Sequence, residues 1–347
     1  MRVDELEEIA LRCLPPEVSE YFNQGAFAGL TTSAAPGAWD RLRLRPRVLR
    51  DVSCVSTAAT VLGHEVATPI MVAPTALQRA AHPEGEVATA RAVAATSSLM
   101  CVSSNSGSTF EDIAATGVQW WLQVYIRRDR GLTLAMLQRA RAAGASAMVL
   151  TADTPVVGYK RNAGQPATDV IPAEHQRVNL DAIGLPQSAL EHAADVGPDD
   201  IGWLHEVTGL PVIVKGVLRE DDARMVAAAG AVAVWVSNHG GRQLDQSITT
   251  AEALPAIASA LSGTGTEVYV DGGIRKAEHV LAALSLGAKA VFLGRPVLWA
   301  LAAGGDVHQG GRAGVAHLLT ELTGDLAHVM ALAGARNVAE LSPDLVG

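Results

Sequence analysis

Eight short apolar runs recur along the chain at regular spacing, each long enough for a strand and too short for a stable helix. They occupy residues 69–73, 99–103, 120–125, 147–151, 211–215, 231–236, 267–271 and 290–293. Their small and β-branched residues carry little charge, as parallel strands covered on both faces require. Helical patterns alternate with them at 85–95, 132–143, 220–229, 250–261 and 276–286. Gly144, Gly230 and Gly287 stand just past three of these helices, where a left-handed C-cap is needed. Alternating strand and helix eight times predicts an α/β fold, a (β/α)8 barrel. A doubly wound sheet would also alternate, but it gives no reason for reactive side chains at nearly every strand's carboxyl end.

Outside this repeat, two short helices open the chain, with Asp4 expected to cap the first and Pro15-Pro16 starting a second that runs to about Asn23. Together they form an N-terminal helical cap. The run Arg41-Leu42-Arg43-Leu44-Arg45 predicts a half-buried strand with a solvated face. Residues 57–67 predict a hairpin that closes the floor of the barrel. The connection after the fourth strand, residues 154–201, is too long for a simple turn and predicts a functional loop. Residues 315–332 predict one long outer helix. The whole chain, 1–347, is expected to form a single domain of this barrel type.

The sixth strand ends in Val236-Ser237-Asn238-His239-Gly240-Gly241-Arg242-Gln243-Leu244-Asp245. Polarity changes at once where the strand stops. His239 can exchange a proton near neutral pH, and Arg242 offers a planar fork that suits a carboxylate. Gly240 and Gly241 permit a tight turn and are expected to leave space for a ligand. Asp271-Gly272-Gly273-Ile274-Arg275 ends the seventh strand and Gly294-Arg295-Pro296 the eighth. The loops after these two strands are the usual phosphate site of barrel enzymes, where glycine N–H groups and arginine charge converge.

The ten-residue stretch at 236–245 resembles the signature of the FMN-dependent 2-hydroxy-acid oxidising family, which includes glycolate oxidase, lactate oxidase and mandelate dehydrogenase. The resemblance extends over roughly Tyr21 to Ser342. It implies a TIM barrel that binds FMN and oxidises an L-2-hydroxy acid to the 2-oxo acid. Flavin contacts are implied for the turn Pro74, Thr75 and Ala76, and for Ser103, Gln123 and Thr151 at successive strand ends. Ser237, Asp271, Gly272, Gly273, Arg275, Gly294 and Arg295 complete that set, with Asp271 accepting from the ribityl hydroxyls. Lys215 closes the fifth strand, where a buried cation needs a negative partner. The resemblance makes it the charge beside the reduced flavin.

The catalytic set implied is His239, Tyr125, Asp153, Lys215 and Arg242. Asp153 would favour the imidazolium of His239 as it forms. The residues fit a proton taken from the substrate's Cα or from its hydroxyl, and electrons leaving as a carbanion or as a hydride. Substrate contacts are implied for Tyr21, Tyr125, Lys160, Arg161, His239 and Arg242. Two positions depart from the family. Lys160 falls where a second arginine usually clamps the carboxylate, so the charge is kept and the fork is lost, with Arg161 one residue late. Asn105 replaces the tryptophan of glycolate oxidases and predicts room for a branched or aromatic, mandelate-like acid. Ala76, as in family oxidases, points to dioxygen as acceptor and hydrogen peroxide as by-product. A homotetramer is also implied.

Composition excludes other classes. A formal net charge of −9 disfavours nucleic acid. Cys13, Cys54 and Cys101 form no metal-ligand or disulfide pattern, so no metal is expected. No apolar run could span a bilayer, and the acidic N-terminus lacks a signal-peptide core. The expectation is a soluble, cytoplasmic protein. Alternatives are oxidative decarboxylation of the same acids, an FMN barrel isomerase acting on a diphosphate, and a flavin-binding barrel without turnover.

Overall fold

The computed structural model of the chain describes residues 3–160, 171–180, 187–303 and 310–347. A hairpin of β1 (Ala59–Val61) and β2 (His64–Val66) precedes the barrel. The barrel strands are β3 (Ile70–Val72), β4 (Leu99–Ser103), β5 (Gln119–Val124) and β6 (Met148–Thr151), then β7 (Val212–Val217), β8 (Ala233–Val236), β9 (Glu267–Asp271) and β10 (Ala290–Leu293). All eight pair in parallel, and β10 closes on β3, so the ring has no edge. The strands expected from sequence are all present, and the glycines after three helices have positive φ, at 99°, 101° and 104°.

The alternation of side chains along each strand sorts the core into two. Outward residues such as Met100, Val102, Val212 and Val214 pack under the helices. Inward residues form a separate cluster containing Leu99, Cys101, Trp121, Ile213, Trp235, Tyr269 and Phe292. Four aromatic rings plug the interior, with Trp235 and Phe292 centred 3.8 Å apart. Val61 and Val66 of the hairpin belong to this inner cluster, so the hairpin does close the floor. The carboxylate of Glu267, at the start of β9, accepts from the Leu62 amide at 3.3 Å. The helix Arg312–Ala333 lies outside against Gly85–Ala95 and Ala277–Ser285.

Three expectations are corrected. The first helix spans Val3–Cys13, so Asp4 lies within its first turn and not at the position before it. Residues 41–45 form no strand. Leu44 makes one isolated bridge, to Val346, and Arg43 and Arg45 donate to the carbonyls of Gly347 and Leu345. The arginine-leucine alternation is a chain lying on the C-terminal tail, with no second neighbour to build a sheet. The sequence reading also passed over a helix, Leu30–Asp40, which contains Pro36 and Gly37. It forms because the loop after β8 docks on it. The Asp245 carboxylate accepts from the amides of Ala28 and Thr31 at 3.1 and 3.0 Å, supplying partners that its first turn otherwise lacks.

Candidate active site

Alternation along the strands also decides what stands at the barrel mouth. In β4 the inward positions are Leu99, Cys101 and Ser103, and in β8 they lead through Ala233 and Trp235 to Ser237. The last inward residue of successive strands is therefore polar: Ser103, Gln123, Thr151, Lys215, Ser237 and Asp271, all at most 7% exposed. These side chains satisfy one another. Gln123 Nε2 donates to Thr151 Oγ1 at 2.8 Å. Lys215 Nζ donates to Ser237 Oγ at 2.8 Å, and Ser237 Oγ donates to Asp271 Oδ1 at 2.7 Å. Lys215 and Asp271 Oδ2 are 3.2 Å apart. Burial would lower the Lys215 pKa, but Asp271 and Asp153 outweigh it and the net shift is upward. The ammonium persists at neutral pH and lies 5.4 Å above the Trp235 ring.

A cavity of about 840 Å³ opens over this layer, within the range of small-molecule and cofactor sites. Pro74, Thr75, Ala76, Ser103, Gln123, Thr151, Lys215, Asp271, Gly272, Gly273, Arg275, Gly294 and Arg295 all line it. Ser237 does not line the cavity and holds Lys215 and Asp271 from behind. The turn at 74–78 is fixed by a buried carboxylate that the sequence reading did not single out. Glu86 accepts from the amides of Gln78 and Gly107 and from Ser108 Oγ.

On one wall stands His239, whose backbone is held in the left-handed region at φ 58°, a strained conformation that needs support from its surroundings. Ser237 Oγ accepts from its amide at 3.1 Å. Its Nδ1 lies 2.9 Å from Asp153 Oδ1. A carboxylate can only accept, so Nδ1 carries a proton, and in the neutral ring Nε2 is then free to accept one. The Tyr125 hydroxyl lies 3.4 Å from that Nε2. Burial raises the Asp153 pKa, while the charge and hydrogen bond of His239 lower it further, and the result is a carboxylate below its usual range. Tyr125 is pushed upward, first by burial and then by Asp153 and Tyr21, so its phenol stays protonated.

The arginines have more than one duty. Arg242 Nη1 donates to the carbonyls of Tyr21 and Gln24 at 2.6 and 3.1 Å, and its guanidinium lies 5.1 Å from the Tyr21 ring centre. Arg295 Nε donates to the Phe22 carbonyl at 3.1 Å. Both cations thus meet the C-terminal carbonyls of the helix Pro16–Asn23 and bring Tyr21 to the cavity. Gly240 lines the cavity, whereas Gly241 does not. A Cβ on Gly240 would meet Arg295, and one on Gly241 would strike Thr32. The two glycines admit the N-terminal segment.

Lys160 Nζ donates to the Arg242 carbonyl, beside the guanidinium that it was expected to assist. Its ammonium is drawn down to about 8, by burial first and then by the charges of Arg242 and Arg295. Arg161 lies outside the described residues. Asn105 and two residues absent from the sequence reading, Arg127 and His192, also line the cavity. The segment after β5 pairs with the segment around His192, which stacks that imidazole on Tyr125 at 4.2 Å.

The residues present fit FMN. Arg295 is half-buried, its Nη2 is buried without a partner, and the charges of Arg242 and Arg275 act on it. A dianionic phosphate would supply the missing counter-charge, and the polar layer at the strand ends would face a flat heteroaromatic ring. Among the described residues no cluster of acids, histidines or cysteines is placed to hold a metal ion, and no helix is long and apolar enough to cross a membrane.

Comparisons with known proteins bear on the family and the fold. A sequence profile of the FMN-dependent dehydrogenases matches residues 10–347. An L-lactate oxidase of Nostoc sp. is 39% identical over 97% of this chain and 95% of its own length. Glycolate oxidase 1 of Zea mays is 40% identical over 98% of this chain and 94% of its own. The crystal structure of a mandelate oxidase with (S)-4-hydroxymandelic acid superposes with a TM-score of 0.90 at 37% identity, covering 100% of this chain and 98% of that one.

The loop after β8 generates a prediction about the cap. Asp245→Ala should cost about 1 kcal/mol, the scale of a lost helix cap. Hydrogen exchange should quicken across residues 16–40 and stay unchanged in the barrel strands. Uniform quickening would show that Asp245 supports the whole fold and not the cap.

Proposed function

The chain belongs to the FMN-dependent dehydrogenase family, an oxidoreductase with FMN as cofactor and 2-hydroxy acids as its class of substrate; from that premise we propose that it oxidises a bulky or aromatic L-2-hydroxy acid to the 2-oxo acid, with dioxygen as acceptor. The observation that carries this reading is the triad of contacts at His239. One ring nitrogen is committed to Asp153, and the other meets the Tyr125 phenol at the cavity wall. The isomerase alternative gives way because it has no use for these three residues beside an arginine, and because the relatives just described are named for 2-hydroxy-acid oxidation.

Each residue then has a defined task. Arg242 and Tyr21 hold the substrate carboxylate, with Lys160 as a further cation. Tyr125 donates to an oxygen of the bound acid and keeps it aligned with the imidazole. His239 takes a proton from the substrate at Nε2, and Asp153 stabilises the imidazolium without taking the proton itself. Lys215, fixed through Ser237 and Asp271, would offer a positive charge to bound FMN and favour its reduced, anionic form. FMN, when bound, would supply the two-electron acceptor, with dioxygen as final oxidant and hydrogen peroxide as by-product. Asn105, in place of a bulky aromatic, favours the larger substrates, and the (S)-4-hydroxymandelic acid carried by the mandelate oxidase structure supports both size and hand.

Two outcomes follow. His239→Ala should bind FMN normally and lose flavin reduction by 2-hydroxy acids under anaerobic mixing, by about 10²–10⁴ in rate. Reduction at the wild-type rate would remove His239 from the chemistry. The second concerns pH. Lys160 is a cation below about 8 and loses its proton as the pH climbs through that value. A bound carboxylate favours the charged form, so KM should rise above that pH. Lys160→Arg, whose charge persists, should flatten the rise, and Lys160→Met should raise KM at every pH. A KM profile unchanged by either substitution would release Lys160 from carboxylate binding.

A further inference from the structure

Beyond Tyr125 the cavity continues into a lobe that the proposed chemistry does not use. Arg127 lines it, although this guanidinium is only 5% exposed. Its Nη1 donates to the Leu190 carbonyl at 2.8 Å and its Nη2 to Asn105 Oδ1 at 2.7 Å, both neutral acceptors. Its Nε is buried without a partner. Among the described residues no carboxylate pairs with it. Glu191 is nearby, but that carboxylate is engaged by Arg128 at 3.0 Å. Arg177 also lines the cavity and sets a second positive charge against the first. Burial lowers the Arg127 pKa most, Arg177 adds to that, and the value reached, about 10, still leaves a full cation at neutral pH.

A buried cation facing another cation, with no anion paired to it among the described residues, is costly unless a ligand brings the counter-charge. The place of this lobe relative to the chemistry is defined. Tyr125 meets the His239 base through its hydroxyl, and Arg127 lies 6.0 Å from the centre of the same phenol ring. His192 stacks flat on that ring and is held neutral, its pKa pushed down to about 4 by burial first and then by Arg127. A substrate whose C2 faces His239 and whose carboxylate meets Arg242 can extend its side chain past Tyr125 into the lobe. There the Arg127 fork suits a second planar anion.

We propose that the lobe lined by Arg127, Arg177 and Asn105 receives a second carboxylate, so that the substrate is a 2-hydroxy acid whose side chain ends in a carboxylate. This rests on the reading of the site as a 2-hydroxy-acid oxidase and specifies its substrate class. Asn105 then has a positive role, since its side chain holds the guanidinium in the lobe, and the room it leaves is a charged subsite.

The test compares matched ligands on the FMN-loaded protein. Binding of 4-carboxybenzoylformate and its 4-methyl ester, and of 2-oxoglutarate and its 5-methyl ester, is titrated by perturbation of the flavin spectrum. In the wild type the free diacid of each pair should bind roughly ten- to a hundredfold more tightly than the ester, the worth of a hydrogen bond to a charged group. Arg127→Met should bring that ratio close to one while benzoylformate binding changes little. Arg177→Ala, at an exposed position, should lower the ratio by a smaller factor. Equal binding of acid and ester by the wild type would overturn the proposal, as would a ratio that survives Arg127→Met. Should Arg127→Met fail to retain FMN, the wild-type ratio and Arg177→Ala decide. The 2-hydroxy acids corresponding to these ligands are then mixed anaerobically with the wild type. A preference for diacid binding without flavin reduction by any of them would remove the oxidase activity and leave the subsite standing, whereas reduction without that preference would do the reverse.

Discussion

Closure of the parallel ring is the constraint from which the site follows. Eight strands that all run one way bring eight carboxyl ends to one rim, and the two-residue period then selects which side chain of each strand meets the cavity. Aromatic rings fill the layer beneath, so the polar residues above cannot sink into the barrel. They stay at the rim, buried yet paired, as the chain from Lys215 through Ser237 to Asp271 shows. The helix Pro16–Asn23 and the start of Arg295–Ala302 reach the cavity, while the helices between the strands serve the ring itself. They cover the outer face of the strands and hold the ring closed.

The mouth is electrostatically opposed to the rest of the chain. The protein carries a formal net charge of −9, yet Lys160, Arg127, Arg177, Arg242, Arg275 and Arg295 all line the cavity. Cations gathered in a concave, low-dielectric site attract anions and repel one another. Burial is the first cause of the lowered pKa values of Lys160 and Arg295, and that repulsion adds to it. Part of it is offset by the protein itself, since Arg242 and Arg295 rest on the carbonyls that end the helix Pro16–Asn23. The remainder awaits the phosphate of the cofactor and the carboxylate of the substrate. Binding of anions and seating of the N-terminal cap therefore draw on the same side chains.

Much of this was legible in the sequence because it depends on local pattern. Strands, helices and C-caps follow from periodicity and glycine, and residues at strand ends were named because the barrel gives strand ends a meaning. What escaped depends on distant partners. Leu30–Asp40 has a proline, a glycine and threonines that argue against a helix, and it is held by Asp245, 217 residues beyond Ala28. Gly240 does face the cavity, but the space expected at Gly241 is filled by Thr32 of the N-terminal segment. Arg127 stands in Arg127-Arg128-Asp129-Arg130, which resembles a solvated turn. Only the pairing of that segment with the one around His192, inside a long loop, turns its first arginine inward.

The central claim is that one cavity holds FMN against the strand-end layer and presents a 2-hydroxy acid to His239. A crystal structure of the FMN-loaded protein with a bound 2-oxo acid tests it most directly. The account predicts the phosphate at Arg275 and Arg295, the acid's carboxylate at Arg242 and Tyr21, and its 2-oxo oxygen within hydrogen-bond reach of His239 Nε2 and the Tyr125 hydroxyl. An acid bound with its carboxylate elsewhere, or with His239 turned from the 2-oxo carbon, would contradict it.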